Sequence, residues 1–226
     1  MAQSVIITGG FGALGQVVAQ AFADRGDKVA RIDFAKEPAG ALPGALDIGG
    51  VDLTDQAATQ AALDKVIATN GGIDVLVNIA GGFTWETLEG GSLDTWAKMH
   101  AMNVTTNITI TRLALPELKK SANGRIINMG AGGAVKAGMG MGAYAASKAG
   151  VHKLTEALAE ELADSTVTVN AVLPSIIDTP ANRKDMPDAD PKGWVTAEGI
   201  ADVMLFLASP ASAAVTGALI PVTRNT

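Results

Sequence analysis

Between positions 4 and 15 the chain reads SVIITGGFGALG, and few folds accommodate that order of residues. Val5, Ile6 and Ile7 form a β-branched run of the kind that is buried in a strand. Glycines follow at 9, 10, 12 and 15, and then Val17, Val18, Ala21 and Phe22 recur at helical spacing. The order is strand, glycine turn, helix. Gly10, Gly12 and Gly15 satisfy G-x-G-x-x-G, a spacing that lets backbone approach a pyrophosphate whose charge rests on a helix N-terminus. The next apolar run, 29–33, ends in Asp33, eighteen residues beyond Gly15, where a carboxylate would meet an adenosine ribose. A purely structural turn is the plainer account of so short a motif. The strand before it, the helix after it and the acid beyond favour binding.

Composition narrows the class. The 226 residues carry no obvious linker and are 48% hydrophobic, enough for one large core. A net charge of −6 disfavours a nucleic-acid partner. The absence of cysteine excludes disulfides, thiolate metal sites and a thiol nucleophile. His100 and His152 have no ligand partners at useful spacing, so no metal is expected. No run reaches the roughly 18 apolar residues of a membrane span, and the N-terminus does not read as a signal peptide. The expectation is a cytoplasmic protein without a membrane partner.

Strand-like runs then alternate with helical patterns, which argues for a single-domain, doubly wound parallel sheet of about seven strands with helices on both faces. Strands are expected at about 4–8, 28–33, 45–48, 74–78, 124–129, 166–172 and 218–222. Helices are expected at about 13–25, 55–69, 93–118, 142–163 and 197–208, the second with Thr54 as N-cap. Residues 78–82, NIAGG, form a flexible turn at a strand's carboxyl end, where ligands of such sheets bind. The polar segment 178–193 carries three prolines and reads as a functional or mobile stretch.

Tyr144, the only tyrosine, stands four residues before Lys148 on the helix expected after the fifth strand, so the two share a face. An ammonium beside a phenol would pull the phenol down from about 10 toward working pH, making it a general acid or base for a carbonyl or hydroxyl. Such a pair is a common surface accident by itself. Here it follows a strand, a glycine loop and a dinucleotide fingerprint.

With these motifs in order, the chain resembles the short-chain dehydrogenase/reductase family over essentially its whole length. The resemblance implies a dinucleotide-binding half at about 1–90 and a catalytic and substrate-binding half at about 91–226. It implies Tyr144 as proton donor or acceptor, Lys148 as holder of the nicotinamide ribose and tuner of the tyrosine, and Asn103 as support for a water relay. Cofactor contacts would come from Gly9, Gly10, Phe11, Gly12, Ala13, Leu14, Gly15, Asp33, Asp52, Leu53, Asn78, Ala80, Gly81, Tyr144 and Lys148. Pro174, Ile177 and Thr179 would close the same site. Asp33, with no basic residue at 10–12, suggests NAD(H) over NADP(H), since a carboxylate repels a 2′-phosphate. Arg31 is the cation that speaks against it. The family also implies a homodimer or homotetramer.

Two departures matter. Ala13 stands at the middle glycine of the family's motif. Ala131 stands thirteen residues before Tyr144, at the family's active-site serine, whose hydroxyl would stabilise developing charge. The dihydropteridine reductase branch shares that alanine, and residues 9–15, 144–154, 217–223 and much of 173–194 resemble it. Asn103 and residues 83–87, FTWET, resemble ordinary bacterial members instead. The resemblance implies an NADH-linked reductase of a small molecule with an activated C=O or C=N bond. Trp85, Ala131, Met139, Met141, Met186 and Trp194 are candidates for the substrate pocket. A dinucleotide sensor or scaffold that has lost catalysis is the alternative from another class. His152 reads as structural, and Arg183 and Lys184 as a solvated loop face.

Overall fold

Val5, Ile6 and Ile7 point alternately to opposite sides of their strand, yet all three are fully buried. A strand hidden on both faces belongs to a parallel sheet covered by helices on each side. The computed structural model describes residues 2–224 and has that layering. Its strands are β1 (Ser4–Thr8), β2 (Lys28–Ile32), β3 (Leu46–Ile48), β4 (Val75–Asn78), β5 (Arg125–Met129), β6 (Thr168–Pro174) and β7 (Leu219–Val222). They lie in the order β3-β2-β1-β4-β5-β6-β7, and every neighbouring pair is parallel.

The helices divide by face. Val5, Ile7, Val75, Val77 and Ile127 pack under α1 (Ala13–Asp24) and α7 (Ala197–Leu207), whose Val18, Phe22, Ile200 and Met204 are fully buried. Ile6, Ile32, Leu76, Ile126 and Val169 pack under α2 (Gln56–Asn70), α4 (Thr106–Leu118) and α5 (Gly142–Glu161). The remaining helices are α3 (Leu93–His100) and the short α6 (Pro180–Asp185).

Most strand and helix ends fall within two residues of the sequence reading. Three differences have physical causes. The expected helix 93–118 is broken by a π-helical turn, Ala101–Thr105, between α3 and α4. Thr106 and Thr109 turn their hydroxyls back onto the carbonyls of Met102 and Thr105, and Asn103 is drawn to Gly82, so the wide turn has its own hydrogen bonds. Thr54 does not cap α2. It donates to Asp52, and the Asp55 carboxylate accepts from the backbone of Ala57 and Ala58 instead. In the polar segment 178–193, for which no helix was expected, Thr179 caps α6 and a 3-10 turn follows at Pro191–Gly193.

The chain moves outward in one direction from β1 through β2 to β3, then crosses back to β4 on the other side of β1. That reversal leaves a crevice at the carboxyl ends of β1 and β4. Thr8 spans it, its hydroxyl accepting the N–H groups of Ile79 and Ala80, each at 3.1 Å.

Candidate active site

A cleft of about 880 Å³ opens at this crevice. The glycine turn supplies one wall through Gly9, Phe11, Gly12, Ala13, Leu14 and Gly15. Asp33, Asp52 and Leu53 border the far end, Ala80 and Gly81 line the β4 side, and Thr179 reaches in from the cap of α6. The sequence reading missed Phe34 and Ala35 after β2 and Met102 and Thr106 around the π turn, all of which also line it. The π turn was the missing signal for the last two, because a continuous helix would aim them elsewhere.

The turn is shaped to let something approach its backbone. Gly9 has φ +65°, and a Cβ on Gly15 would collide with the Gly9 carbonyl oxygen. Gly12 is different: a Cβ there would meet the Gly9 oxygen at an ordinary 3.4 Å, so packing alone does not require glycine. Gly12 is also the N-cap of α1 and offers no capping side chain, whereas Asp55, Ser92, Thr179 and Thr196 cap α2, α3, α6 and α7. The open N–H groups of α1 fit a pyrophosphate. Ala13 is accommodated because it begins the helix at negative φ. Asp33 accepts from Phe11 N–H at 2.9 Å and Ala35 N–H at 2.9 Å, which orients its carboxylate at the cleft. The Thr54 hydroxyl and N–H hold Asp52, and these hydrogen bonds keep its carboxyl below the usual range.

Six expected cofactor contacts, Gly10, Asn78, Tyr144, Lys148, Pro174 and Ile177, stand off the cleft wall. Gly10 packs beneath the turn, where a Cβ would lie 2.7 Å from Arg31 Cβ. Asn78 is buried and faces α4 and β5, donating to Thr111 and Asn128, each at 3.0 Å, with its own Oδ1 unpartnered. It braces the crevice rather than lining it. Pro174 ends β6 beside β7, and the Ile177 carbonyl accepts from Asn182. Arg31 is not offered to the cleft: it forms a two-pronged pair with Asp47.

Beyond Gly81 lies the second group of residues. Asn103 is buried in the π turn. Its Oδ1 accepts Gly82 N–H at 2.9 Å, and its Nδ2 donates to the Gly82 carbonyl and to Ser147 Oγ. Gly81 sits so close that a Cβ would collide with Asn103 Oδ1 and lie 3.4 Å from Lys148 Nζ. Lys148 is buried on α5 and donates to the Met129 carbonyl at 2.8 Å. Burial pushes its ammonium down to about 8. Tyr144, one turn earlier, is pushed up to about 12 by burial. That reverses the lowering expected from the Tyr–Lys spacing: desolvation of the phenolate dominates, and the lysine's hydrogen bond goes to a carbonyl. Phe83, absent from the sequence candidates, meets the Tyr144 ring edge-on at 4.9 Å.

His152 is buried one turn beyond Lys148, and its Nε2 accepts the Ala131 N–H at 3.2 Å. That bond braces the residue at the serine position. Burial, then the nearby Lys148 charge, hold its imidazole below the ordinary range. Trp85 lies over Gly140, and Met141 covers Gly133. Met139 is exposed, Met186 half-buried, and Ala131 buried. Trp194 is 5% exposed and belongs to the closed interior, not to an open mouth. Arg183 pairs with Asp178 on the surface.

A family model described as short chain dehydrogenase matches residues 3–190. The chain belongs to the short-chain dehydrogenase/reductase family. This short-chain dehydrogenase/reductase is 34% identical over 234 residues to a 3-oxoacyl-acyl-carrier-protein reductase of Thermotoga maritima, spanning 95% of its own length and 94% of that protein. It is 33% identical to a D-threitol dehydrogenase of Mycolicibacterium smegmatis over 94% of its length and 88% of the relative. An aldohexose dehydrogenase of Thermoplasma acidophilum superposes with a TM-score of 0.90 at 27% identity, covering 98% of this chain and 92% of the other. The protein is therefore an oxidoreductase of a family that binds NAD(P)(H). Among the described residues no helix is long and apolar enough to cross a membrane.

Proposed function

We propose that this enzyme is an NADH-linked reductase of an activated C=O or C=N group, with Tyr144 as proton donor. The observation that carries the reading is the half-buried Tyr144 phenol one helical turn from the buried Lys148 ammonium, which lies behind Gly81 of the cleft wall. A phenol pushed up to about 12 holds its proton at neutral pH, as an acid in a reduction must. When bound, the nicotinamide supplies the hydride. The chain's own residues position it: Gly12 and the α1 N-terminus for the pyrophosphate, Asp33 for the adenosine ribose, Lys148 for the second ribose. Asn103 holds Gly82 and, through Ser147, the first turns of α5. NADH is favoured because Asp33 presents a carboxylate and Arg31 is occupied by Asp47.

Ala131 narrows the substrate. Without a hydroxyl at that position, a simple ketone would forgo a donor worth roughly 3 kcal/mol in the transition state. A conjugated imine or quinonoid ring needs less help, and a quinonoid dihydropterin is the first member of that class to try. We assign Phe83, which meets the Tyr144 ring, and Trp85, Met141 and Met186 to the substrate wall. The exposed Ile108 on α4 and Phe206 on α7 offer apolar surface for a homodimer or homotetramer.

The test is NADH consumption with quinonoid dihydropterin beside a panel of ketones and quinones. Tyr144→Phe is expected to lower turnover by about 10²- to 10⁴-fold while NADH binding is kept. NADH binding without turnover of any acceptor would instead identify a sensor or scaffold and overturn the proposal.

A further inference from the structure

Arg31 lies in β2 and Asp33 follows the strand's last residue, Ile32, so the two are separated by about 7 Å of nearly extended chain. One is the carboxylate that borders the cleft. The other is a cation only 2% exposed. Arg31 lies directly opposite Asp47 in the β2–β3 register. Its Nε and Nη2 each donate to a separate Asp47 oxygen at 2.7 Å, and Nη2 also donates to the Gly40 carbonyl at 3.2 Å. The guanidinium lies over the Phe11 ring, 5.5 Å from its centroid, while the Phe11 N–H donates to Asp33. Phe11 thus sits between the carboxylate that would face the adenosine ribose and the cation that does not.

A bidentate carboxylate saturates the directional fork that a guanidinium would otherwise present to a phosphate. We propose that Asp47 is a specificity-determining residue for the cofactor. By holding Arg31 under the glycine turn it denies a positive charge to a 2′-phosphate. Cofactor choice then rests on two locks, the Asp33 repulsion and the Asp47 sequestration. The inference rests on the NADH preference proposed above and extends it. Lys36 is the other cation of this loop. Its side chain runs past Gly50 and does not border the cleft.

The experiment is a titration of NADH and NADPH by nicotinamide fluorescence, without substrate. Wild-type protein, Asp33→Ser, and the double variant Asp33→Ser with Asp47→Asn are compared, each checked by melting temperature. Asp33→Ser alone is expected to narrow the NADH-to-NADPH ratio, and adding Asp47→Asn to improve NADPH binding by about a further tenfold, the scale of one charge-assisted hydrogen bond. Adding Arg31→Gln should erase that further gain, and adding Lys36→Gln should not. In the wild-type background Arg31→Gln should leave the ratio unchanged, a readout that survives if the double variant does not fold. The proposal is overturned if Asp47→Asn adds nothing in the folded double variant, if Lys36→Gln erases the gain, or if Arg31→Gln alone weakens NADPH. The wild-type ratio separately tests the NADH preference, so a wild type that favours NADPH sinks that reading without deciding this one.

Discussion

Lys148 shows how one residue's surroundings set a pH range. Its ammonium is buried and pushed down to about 8, and the Tyr144 phenol is pushed up to about 12. Below about pH 8 both groups hold their protons; above it the lysine is neutral while the phenol is not yet ionised. A phenol donating its proton becomes a phenolate, which an adjacent ammonium stabilises and an amine does not. The single-turnover rate of reduction is therefore expected to be level up to about pH 7 and to fall above about 8. Rates constant to pH 10 would remove Lys148 from the proton step. The stability sign follows from the same depression. Between about 8 and 10.5 the unfolded chain binds the proton more readily than the folded one, so this site makes stability rise with pH in that window and fall as pH drops through it. Helical spacing made the Tyr144–Lys148 pairing legible in the sequence. The direction of the phenol's shift was not, because burial is a property of the assembled site.

At the scale of an element, the strand–turn–helix unit separates glycines needed for packing from one that packing does not require. In Gly15→Ala the new methyl would collide with the Gly9 carbonyl and stand 2.8 Å from Gly10 Cα. Overpacking of that kind is expected to destabilise by about 1–3 kcal/mol in urea unfolding. Gly12→Ala has room, so its stability is expected within about 1 kcal/mol of wild type, the scale of a lost N-cap preference. Its NADH affinity should drop at least tenfold in a fluorescence titration, because the methyl would crowd the pyrophosphate position proposed above. The reverse pattern would make this a packing turn and nothing more. The literal motif treats Gly10, Gly12 and Gly15 alike; the neighbouring backbone distinguishes them. Asn103 makes a similar point. Periodicity reads 93–118 as one helix, and its wide turn exists because Asn103 is held by Gly82 and Ser147, 21 and 44 residues away.

Across the whole molecule, a polar seam crosses the otherwise apolar core on the α4–α5 face. Asn128 Oδ1 accepts from Asn78 and Asn107, each at 3.0 Å, and its Nδ2 donates to Thr155 at 2.9 Å. Asn78 on β4, Asn107 on α4, Asn128 on β5 and Thr155 on α5 are thereby joined next to the crevice. Asn128→Ala would leave buried donors unmatched and is expected to destabilise the protein by about 2–4 kcal/mol in urea unfolding. NADH affinity of the folded fraction at low temperature should change less than about twofold, since the residue does not line the cleft. A stability loss below about 0.5 kcal/mol would show that the seam does not tie the layers together.

Strand and helix order, the parallel layering and the cleft's place at a strand's carboxyl end were determined by the sequence itself. Each follows from residues near one another in the chain: β-branched runs, helical spacing, and glycines flanked by both. The tertiary structure alone decided that Arg31 faces Asp47, that Asn78 braces rather than lines the crevice, that Asp55 caps α2, and that burial keeps the Tyr144 proton in place. Those outcomes depend on strand register and on which groups share a dry interior. Register and burial are set when distant segments pack, and no local pattern carries them.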